Sequence, residues 1–231
     1  MVEKKTLGSI YLDGVVQERG FVCDESTNIT IGDTVHGKAL EWVVAGNRLI
    51  ADRCVCCDIN WTQINRAGYN VGRSVLIDGK PYECRSLCVT PCQGQFKSEW
   101  DELLDEFGED NLLWHWKEKY FWGKEIVLCG VQSARFRAQG FNSSDRAPSI
   151  GFRSVLEPLF PATTSLSGQE GKEIKLYGPG DTIIEGTLVS ADDYDVVVNG
   201  VKTGKCDWAI GDNKRIVANR SKIVWLKEDY R

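Results

Sequence analysis

Short β-type runs separated by turn residues recur along the whole chain, and this pattern most constrains how the chain folds. The segment ALEWVVAGNRLIADRCV carries two such runs on either side of Gly46–Asn47, and SVLIDGKPYECRSLCV carries two around Asp78–Gly79. Turn dipeptides of this kind between β-branched or aromatic residues are strong signals for β-hairpins. The sequence therefore predicts an α+β fold that is mostly β.

One segment, SEWDELLDEFG, has the pattern of an amphipathic helix. Its apolar residues recur every three or four positions, which places them on one face. Ser98 can cap the amino end together with Asp101, and Gly108 suits the carboxyl end. We predict a helix from Ser98 to Phe107 whose apolar face belongs to the core and whose five acidic side chains form a solvated surface.

The character of the chain changes at residues 161–168, whose sequence PATTSLSG is small, polar and without periodicity. After this segment, five or six short β runs within about 60 residues predict a small barrel. We therefore expect one domain over residues 1–160, a linker over 161–168 and a small β-barrel over 169–231.

Charge and hydropathy exclude some classes of function. The 28 Lys and Arg against 33 Asp and Glu give a net charge of −5, which argues against a nucleic-acid-binding domain. The chain has no apolar run near the ~20 residues that a membrane helix needs, and MVEKKTLGSIYLDG lacks the apolar core of a secretory signal. We expect an intracellular protein with neither a membrane nor nucleic acid among its partners.

Nine cysteines require a choice between free thiols and a metal site. Reduced thiols are the default without an export signal, and the odd number argues against a complete disulfide framework. Structural zinc is the alternative, but its C-x2-C spacing occurs only at Cys54 and Cys57, whereas Cys84, Cys88 and Cys92 are each four apart. We predict buried or half-buried free thiols and no metal or cofactor.

Motifs for catalysis are missing from the sequence. The chain has no G-x-S-x-G elbow, P-loop or G-x-G-x-x-G sequence. Its two histidines, His36 and His115, show no ligand spacing and no recognisable nucleophile partner. We expect that the protein is not an enzyme.

The segment at residues 112–123, LLWHWKEKYFWG, holds five large aromatic side chains within nine residues. Two interpretations are open. The rings can form a packed corner that anchors loops, because large rings dominate core burial. Alternatively, one or two of them line a ligand groove, with Trp114 and Trp122 as the candidates.

Residues 121–159 combine a strand and glycine turn, an S-A-R sequence at residues 133–135, and a closing GFR strand at residues 151–153. This arrangement resembles the C-terminal half of the C-type-lectin-like fold, as found in relatives of formylglycine-generating enzymes. NRAGYNVGRSVLIDGKPYECRSL and SEWDELLDEFGEDNLLWHWKEKYFWG are similar to phage and prophage proteins of Gram-positive bacteria. The resemblance covers about residues 30–160 and implies a C-type-lectin-like domain in the bacterial host cytoplasm.

The sequence departs from both functional branches of that fold. It lacks the E-P-N or Q-P-D loop and the W-N-D strand of calcium-dependent lectins. It offers only Cys129 where copper-binding relatives have a close pair of thiols. Calcium-dependent sugar binding and oxidase chemistry are therefore not expected. Arg153 of the GFR strand is interpreted as a structural ion-pairing residue, with a ligand contact as the alternative.

A stretch of about twenty residues between Gly130 and Gly151 has no periodicity, and long loops of this kind are usually functional or disordered. It combines long donors, an aromatic ring and amides, a mixture that suits recognition: Arg135, Arg137, Gln139, Phe141 and Asn142. The alternative for Ser133–Arg135 is that it ties the loop to the GFR strand.

The resemblance and this loop together predict a non-enzymatic phage or prophage binding protein. A second copy of the chain is among its expected partners, as a homo-oligomer. Its expected role is an intracellular anti-defence factor that binds a host immune protein or a nucleotide messenger. A virion-associated recognition protein with a variable loop is one alternative, and a copper-dependent oxidase-like enzyme is another.

The C-terminal part resembles an SH3-like or Sm-like barrel. GTLVSADDYDVVV fits the bent second and third strands of such barrels, and ANRSKIVWLKE fits a short turn before the last strand. Because this part is not notably basic, the resemblance implies a protein-contact or packing module.

Overall fold

The computed structural model describes the following parts of the chain: residues 2–24, 28–91, 95–201, 206–212 and 214–228. The chain divides into two compact units, Met1–Glu157 and Pro158–Arg231. Strands account for 42% of the residues and helices for 11%, and one sheet is curled into a half-barrel. The prediction of a mostly β fold is confirmed. Within the described ranges, no helix has the length and apolar character needed to cross a membrane.

The first unit is built from short strands and three helices among the residues described. In chain order its elements are β1 (Lys4–Leu12), β2 (Val15–Val16), β3 (Phe21–Val22), β4 (Ile29–Gly32), β5 (Ala39–Ala45), β6 (Arg48–Ala51), β7 (Cys56–Cys57), α1 (Trp61–Arg66), β8 (Arg73–Ile77), β9 (Lys80–Ser86), α2 (Glu99–Phe107), α3 (Asn111–Trp114), β10 (Tyr120–Trp122), β11 (Leu128–Cys129), β12 (Arg137–Ala138), β13 (Ile150–Phe152) and β14 (Ser154–Pro158). One sheet has the order β2-β1-β5-β6-β14-β9-β8, with β4 paired to β1. The second sheet has the order β12-β11-β10-β13-β7-β3.

Both predicted hairpins are confirmed. Strands β5 and β6 are antiparallel, and Ala45 and Arg48 form their last pair before the turn. Strands β8 and β9 are also antiparallel, and their last pair is Ile77 with Lys80. Asp78 (φ 51°) and Gly79 (φ 74°) both lie in the left-handed region. Two such residues in succession give the turn whose twist matches that of the flanking strands.

The predicted helix is confirmed as α2. The Asp101 N–H donates to Ser98 Oγ (3.1 Å) and the Asp101 carboxylate accepts from the Ser98 N–H (3.4 Å), which completes the capping box. Gly108 follows the helix with φ 80°. Trp100, Leu103 and Leu104 are buried, so the apolar face of α2 belongs to the core.

The acidic side of α2 is solvated in part: Glu102, Asp105 and Glu106 are exposed as the sequence predicts, whereas Glu99 lies in a buried ion-pair network. Arg85 donates to both carboxylate oxygens of Glu99 (2.6 and 2.8 Å) and to Glu157, and Arg48 donates to Glu99 at 2.8 Å. Burial opposes ionisation of Glu99, but Arg85 and Arg48 outweigh it and lower the pKa to about 2. The network therefore ties the start of α2 to β6, β9 and β14.

Gly151 of the GFR strand marks a close approach of two strands. It pairs with Cys57 of the antiparallel strand β7 and with Phe121 of the parallel strand β10. A Cβ at this position would lie 2.6 Å from the Cys56 carbonyl oxygen and 2.7 Å from Cβ of Cys54. Only glycine fits there without a shift of the backbone.

Arg153 of the same motif is fully buried. Its guanidinium donates to the carbonyls of Ala51 and Asp52, both at 3.0 Å, and of Trp114 at 2.5 Å. It also lies over the ring of Phe121, at 4.7 Å from the centroid. Burial lowers the pKa of Arg153. Its role is structural, as expected, but through carbonyl oxygens and rings rather than through an ion pair.

The second unit is an antiparallel seven-stranded sheet in the order β15-β21-β16-β17-β18-β20-β19. Its strands are β15 (Phe160–Pro161), β16 (Glu173–Tyr177), β17 (Ile183–Ala191), β18 (Asp195–Asn199), β19 (Ala209–Gly211), β20 (Arg215–Asn219) and β21 (Trp225–Glu228). Leu166 lies in its core, 2% exposed. Residues 161–168, expected to be a linker, therefore include a strand residue and a core residue.

Candidate recognition surface

The stretch between Gly130 and Gly151 is an ordered loop that three arginines attach to other parts of the first unit. It contains the strand β12 and several turns. Arg135 and Arg137 attach its first half, and Arg146 attaches its second half. The residues predicted to form one binding face therefore separate into anchors and exposed side chains.

Arg135 is attached to α2 and the residues that follow it. It lies 2.6 Å from Glu109, 2.6 Å from Asp105 and 3.4 Å from Asp101. The hydrogen bond to Glu109, with those to the other carboxylates, raises the pKa of Arg135. These contacts match the alternative in which Ser133–Arg135 anchors the loop, although it does so to a helix rather than to the GFR strand.

The Arg137 guanidinium is also fully engaged within the protein. Its nitrogens donate to two carbonyls, one carboxylate, one hydroxyl and one sulfur, which are Val89 O (2.6 Å), Arg135 O (2.7 Å), Asp101 Oδ1 (3.0 Å), Ser98 Oγ (3.2 Å) and Cys129 Sγ (3.2 Å). A side chain with this many internal partners cannot bind a ligand without losing them. Arg137 is therefore an anchor and not the exposed recognition residue that the sequence predicts.

The second half of the loop is fixed beside α1. Arg146 pairs with Asp58 at 3.0 Å and donates to the Cys23 carbonyl at 2.7 Å. The main-chain N–H of Thr62 donates to the Ser143 carbonyl at 3.0 Å, and its hydroxyl donates to the same oxygen. These contacts fix the position of residues 139–142 between the two anchored halves.

Residues 139–142, which we call the loop tip, remain exposed. Gln139 and Asn142 are exposed, and the Phe141 side chain is 39% exposed. The centroid of the Phe141 ring lies 6.5 Å from that of Tyr120, which lies 6.5 Å from that of Phe136. We call these three rings the aromatic cluster. Tyr120 and Phe136 are half-buried, so the cluster presents an apolar surface backed by the core.

Tyr120 and Phe136 are not among the site residues that the sequence predicts. Phe136 alternates with Arg137 and Ala138 in the run RFRA, and this alternation is the local signal for a strand that places Phe136 and Arg137 on opposite faces. Tyr120 is one residue before Phe121, which is fully buried in β10. Its position at the end of a strand is what leaves it half-exposed.

Trp114 and Trp122 line no groove, because both are fully buried. The indole N–H of Trp114 donates to the Gly108 carbonyl (3.0 Å) and that of Trp122 to the Ile59 carbonyl (2.9 Å). Trp42, Trp61, Trp100 and Trp116 likewise each donate to a main-chain carbonyl. The aromatic corner therefore anchors loops, the first of the two interpretations, and neither tryptophan belongs to the recognition surface.

The described cysteines are free thiols, and six of the eight are buried; Cys92 lies outside the described residues. Burial raises the pKa of Cys54 and of Cys88 to about 12, and that of Cys129 to about 11. A raised pKa keeps a thiol protonated and therefore poorly nucleophilic. Among the described residues, no group of three or more His, Cys, Asp and Glu side chains could hold a metal ion.

His115 has partners on both ring nitrogens. The Arg53 guanidinium lies 2.7 Å from Nε2, and because a guanidinium only donates, Nε2 accepts and the proton is on Nδ1. Nδ1 lies 2.9 Å from a carboxylate oxygen of Glu118. His115 therefore has no unoccupied nitrogen with which to act as a general base.

Comparisons with known protein families, with curated protein sequences and with solved structures found no match to this chain.

Proposed function

We propose that this chain is a non-enzymatic binding protein that recognises its partner with the aromatic cluster and the exposed amides of the loop tip. One observation carries the proposal. Phe141 is exposed beside two half-buried rings, on a loop held in place by three arginines. A rigid aromatic anchor of this kind supplies binding energy at a low cost in conformational entropy.

The charges around the loop tip favour a protein partner over a nucleotide. Arg135, Arg137 and Arg146 are each paired with carboxylates. Lys119, the neighbour of Tyr120, donates to the Pro148 carbonyl at 2.6 Å. Because the strong hydrogen bonds to phosphate come from Arg and Lys side chains, cations that are already paired suit a neutral protein surface better than a phosphorylated messenger.

We propose a host protein, in an anti-defence role in the bacterial cytoplasm, as that partner. The role is proposed from the resemblance of residues 30–160 to phage and prophage proteins in the sequence pattern. The free, mostly buried cysteines suit a reducing compartment. We also propose a C-type-lectin-like fold for the first unit, supported by the GFR strand beside β10, and an SH3-like fold for the second, supported by its antiparallel sheet.

The test compares two phenylalanines of similar exposure. Phe141 is 39% exposed and Phe160, in the second unit, is 37% exposed. Tagged wild-type, Phe141→Ala and Phe160→Ala chains are used to isolate partners from host cells, and the affinity for each purified partner is then measured by titration calorimetry. We expect Phe141→Ala to weaken binding by about 30-fold, or ~2 kcal/mol, and Phe160→Ala to leave it unchanged.

Thermal unfolding provides the control for folding. Phe141→Ala should leave the melting temperature near that of the wild type, whereas Arg137→Ala should lower it because several buried acceptors lose their donor. Equal affinity of the wild type and Phe141→Ala for the partner would contradict the proposed surface. Co-purification of a nucleotide instead of a protein would contradict the proposed class of partner.

A further inference from the structure

We propose that the partner adds an extended segment to the open edge of the second sheet at β12, beside the aromatic cluster. This inference rests on the proposed function, since it states how the same surface engages its partner. β12 stands at one end of the strand order and pairs with β11 on its inner side. An edge strand presents main-chain N–H and C=O groups that another chain can pair with.

The register of β12 identifies these groups. The Gly130 N–H donates to the Phe136 carbonyl at 3.1 Å, and the next residue pair aligns Arg137 with Cys129. Hydrogen-bonded and non-bonded pairs alternate along an antiparallel ladder. Arg137 therefore occupies a non-bonded position, and its main-chain N–H and C=O point away from β11, toward the open side.

The main chain also has N–H groups available for pairing beyond the end of β12. Within the parts of the chain that the structure describes, the main-chain N–H groups of Gln139, Gly140 and Phe141 have no hydrogen-bond partner. The next N–H, that of Asn142, is satisfied by Asp145 at 2.7 Å. The available N–H donors thus run from Arg137 to Phe141 in the loop tip. This segment is as long as a short β-strand, so it can pair with a short added strand.

The side chains around the edge at β12 indicate what kind of peptide segment can bind there. Phe136 immediately precedes β12 and Phe141 follows it, and both rings contact Tyr120. An added strand that places an apolar side chain between them buries this surface. Residues 139–142 (Gln-Gly-Phe-Asn) carry no charge, and the arginines nearby are already neutralised, so an uncharged, apolar extended peptide is the complementary occupant.

Two substitutions at Gln139 separate a main-chain contact from a side-chain contact. Gln139→Pro removes the outward N–H and Gln139→Ala keeps it. Because Gln139 donates no main-chain hydrogen bond to the described residues, proline removes nothing from the fold, and the extended Ala138 before it suits the residue preceding a proline. Each variant is measured by calorimetry against peptides of about ten residues selected from a displayed random library on the immobilised full chain.

We expect selected peptides with alternating apolar residues whose affinity falls by about tenfold or more in Gln139→Pro and stays within about twofold in Gln139→Ala. Hydrogen exchange at the Arg137 amide should slow when the peptide binds. If Gln139→Pro lowers the melting temperature, this exchange measurement on the wild-type chain decides the question: protection supports strand addition, and no protection refutes it.

The remaining outcomes separate this inference from the proposed function. Peptides that need Phe141 but bind Gln139→Pro normally would refute strand addition and leave the recognition surface intact. Peptides unaffected by Phe141→Ala would count against the recognition surface itself. No enriched peptide would refute strand addition. A dimer in sedimentation that Gln139→Pro dissociates would show that a second copy of the chain is the occupant instead.

Discussion

Substitution of Gly151 by alanine adds one methyl group where β13 pairs with β7. The new Cβ would lie 2.6 Å from the Cys56 carbonyl oxygen, 2.7 Å from Cβ of Cys54 and 2.8 Å from its Sγ. Ordinary van der Waals contact begins at 3.4 Å. Because the nearest atom belongs to the main chain, rotation of a side chain cannot relieve the contact, and the two strands have to separate.

The size of the effect follows from these distances. The strands have to move apart by about 0.8 Å, the difference between 3.4 and 2.6 Å. Inserting a carbon into a packed core costs about 1–3 kcal/mol, and a ladder hydrogen bond weakened by the separation costs about 1 kcal/mol more. We therefore expect Gly151→Ala to reduce the free energy of unfolding of the first unit by about 2–4 kcal/mol, equivalent to roughly 5–15 °C in Tm for a unit of this size.

Thermal unfolding followed by tryptophan fluorescence measures this effect, because six of the eight tryptophans precede residue 158. Ser154→Ala is the matched control: Ser154 is fully buried, but its hydroxyl has no hydrogen-bond partner among the described residues, so its removal should be neutral or slightly stabilising. A Gly151→Ala chain that melts within about 2 °C of the wild type would refute the argument that close strand contact requires glycine.

Two further substitutions test the ion-pair network and the second unit. The pKa of Glu99 is about 2 in the folded chain against an ordinary 4.5, so its contribution to stability is complete above pH 4.5 and lost as the pH falls toward 2. Glu99→Gln should therefore flatten the pH dependence of urea unfolding over this range, and an unchanged slope would contradict the assignment. Leu166→Ala should destabilise the second unit by about 2–5 kcal/mol, because Leu166 is 2% exposed in its core. A loss below about 1 kcal/mol in chemical unfolding would instead indicate that residues 161–168 are a free linker.

Local interactions made parts of the fold predictable from the sequence. The turn at Asp78–Gly79 depends on the backbone preferences of two adjacent residues, and the start of α2 depends on hydrogen bonds between Ser98 and Asp101. Such contacts form between residues at most three positions apart. The amino-acid pattern therefore contains all the information that they need, and the hairpin and the helix begin and end where the pattern predicts.

The composition of the loop predicted exposed polar and aromatic side chains in this region, but not which of them stay exposed. Gln139, Phe141 and Asn142 are accessible, whereas Arg137 contacts Val89 and Asp101, which are 48 and 36 residues away in the sequence. Because a guanidinium can serve either on a binding face or as an internal anchor, the presence of an arginine in the sequence does not distinguish the two roles. Only the position of α2 relative to β12 assigns Arg137 to the second role.

The same reason explains the burial of the tryptophans and of Glu99. Trp114 is buried because Trp100 packs edge-on against it at 5.1 Å between ring centroids, and Glu99 is buried because Arg85 and Glu157 converge on the same helix end. The turns, the helix caps and the mostly β character follow from the amino-acid pattern alone, since these features depend on neighbouring residues. The tertiary structure decided which rings and charges face solvent, because burial depends on segments that meet only after the chain has folded.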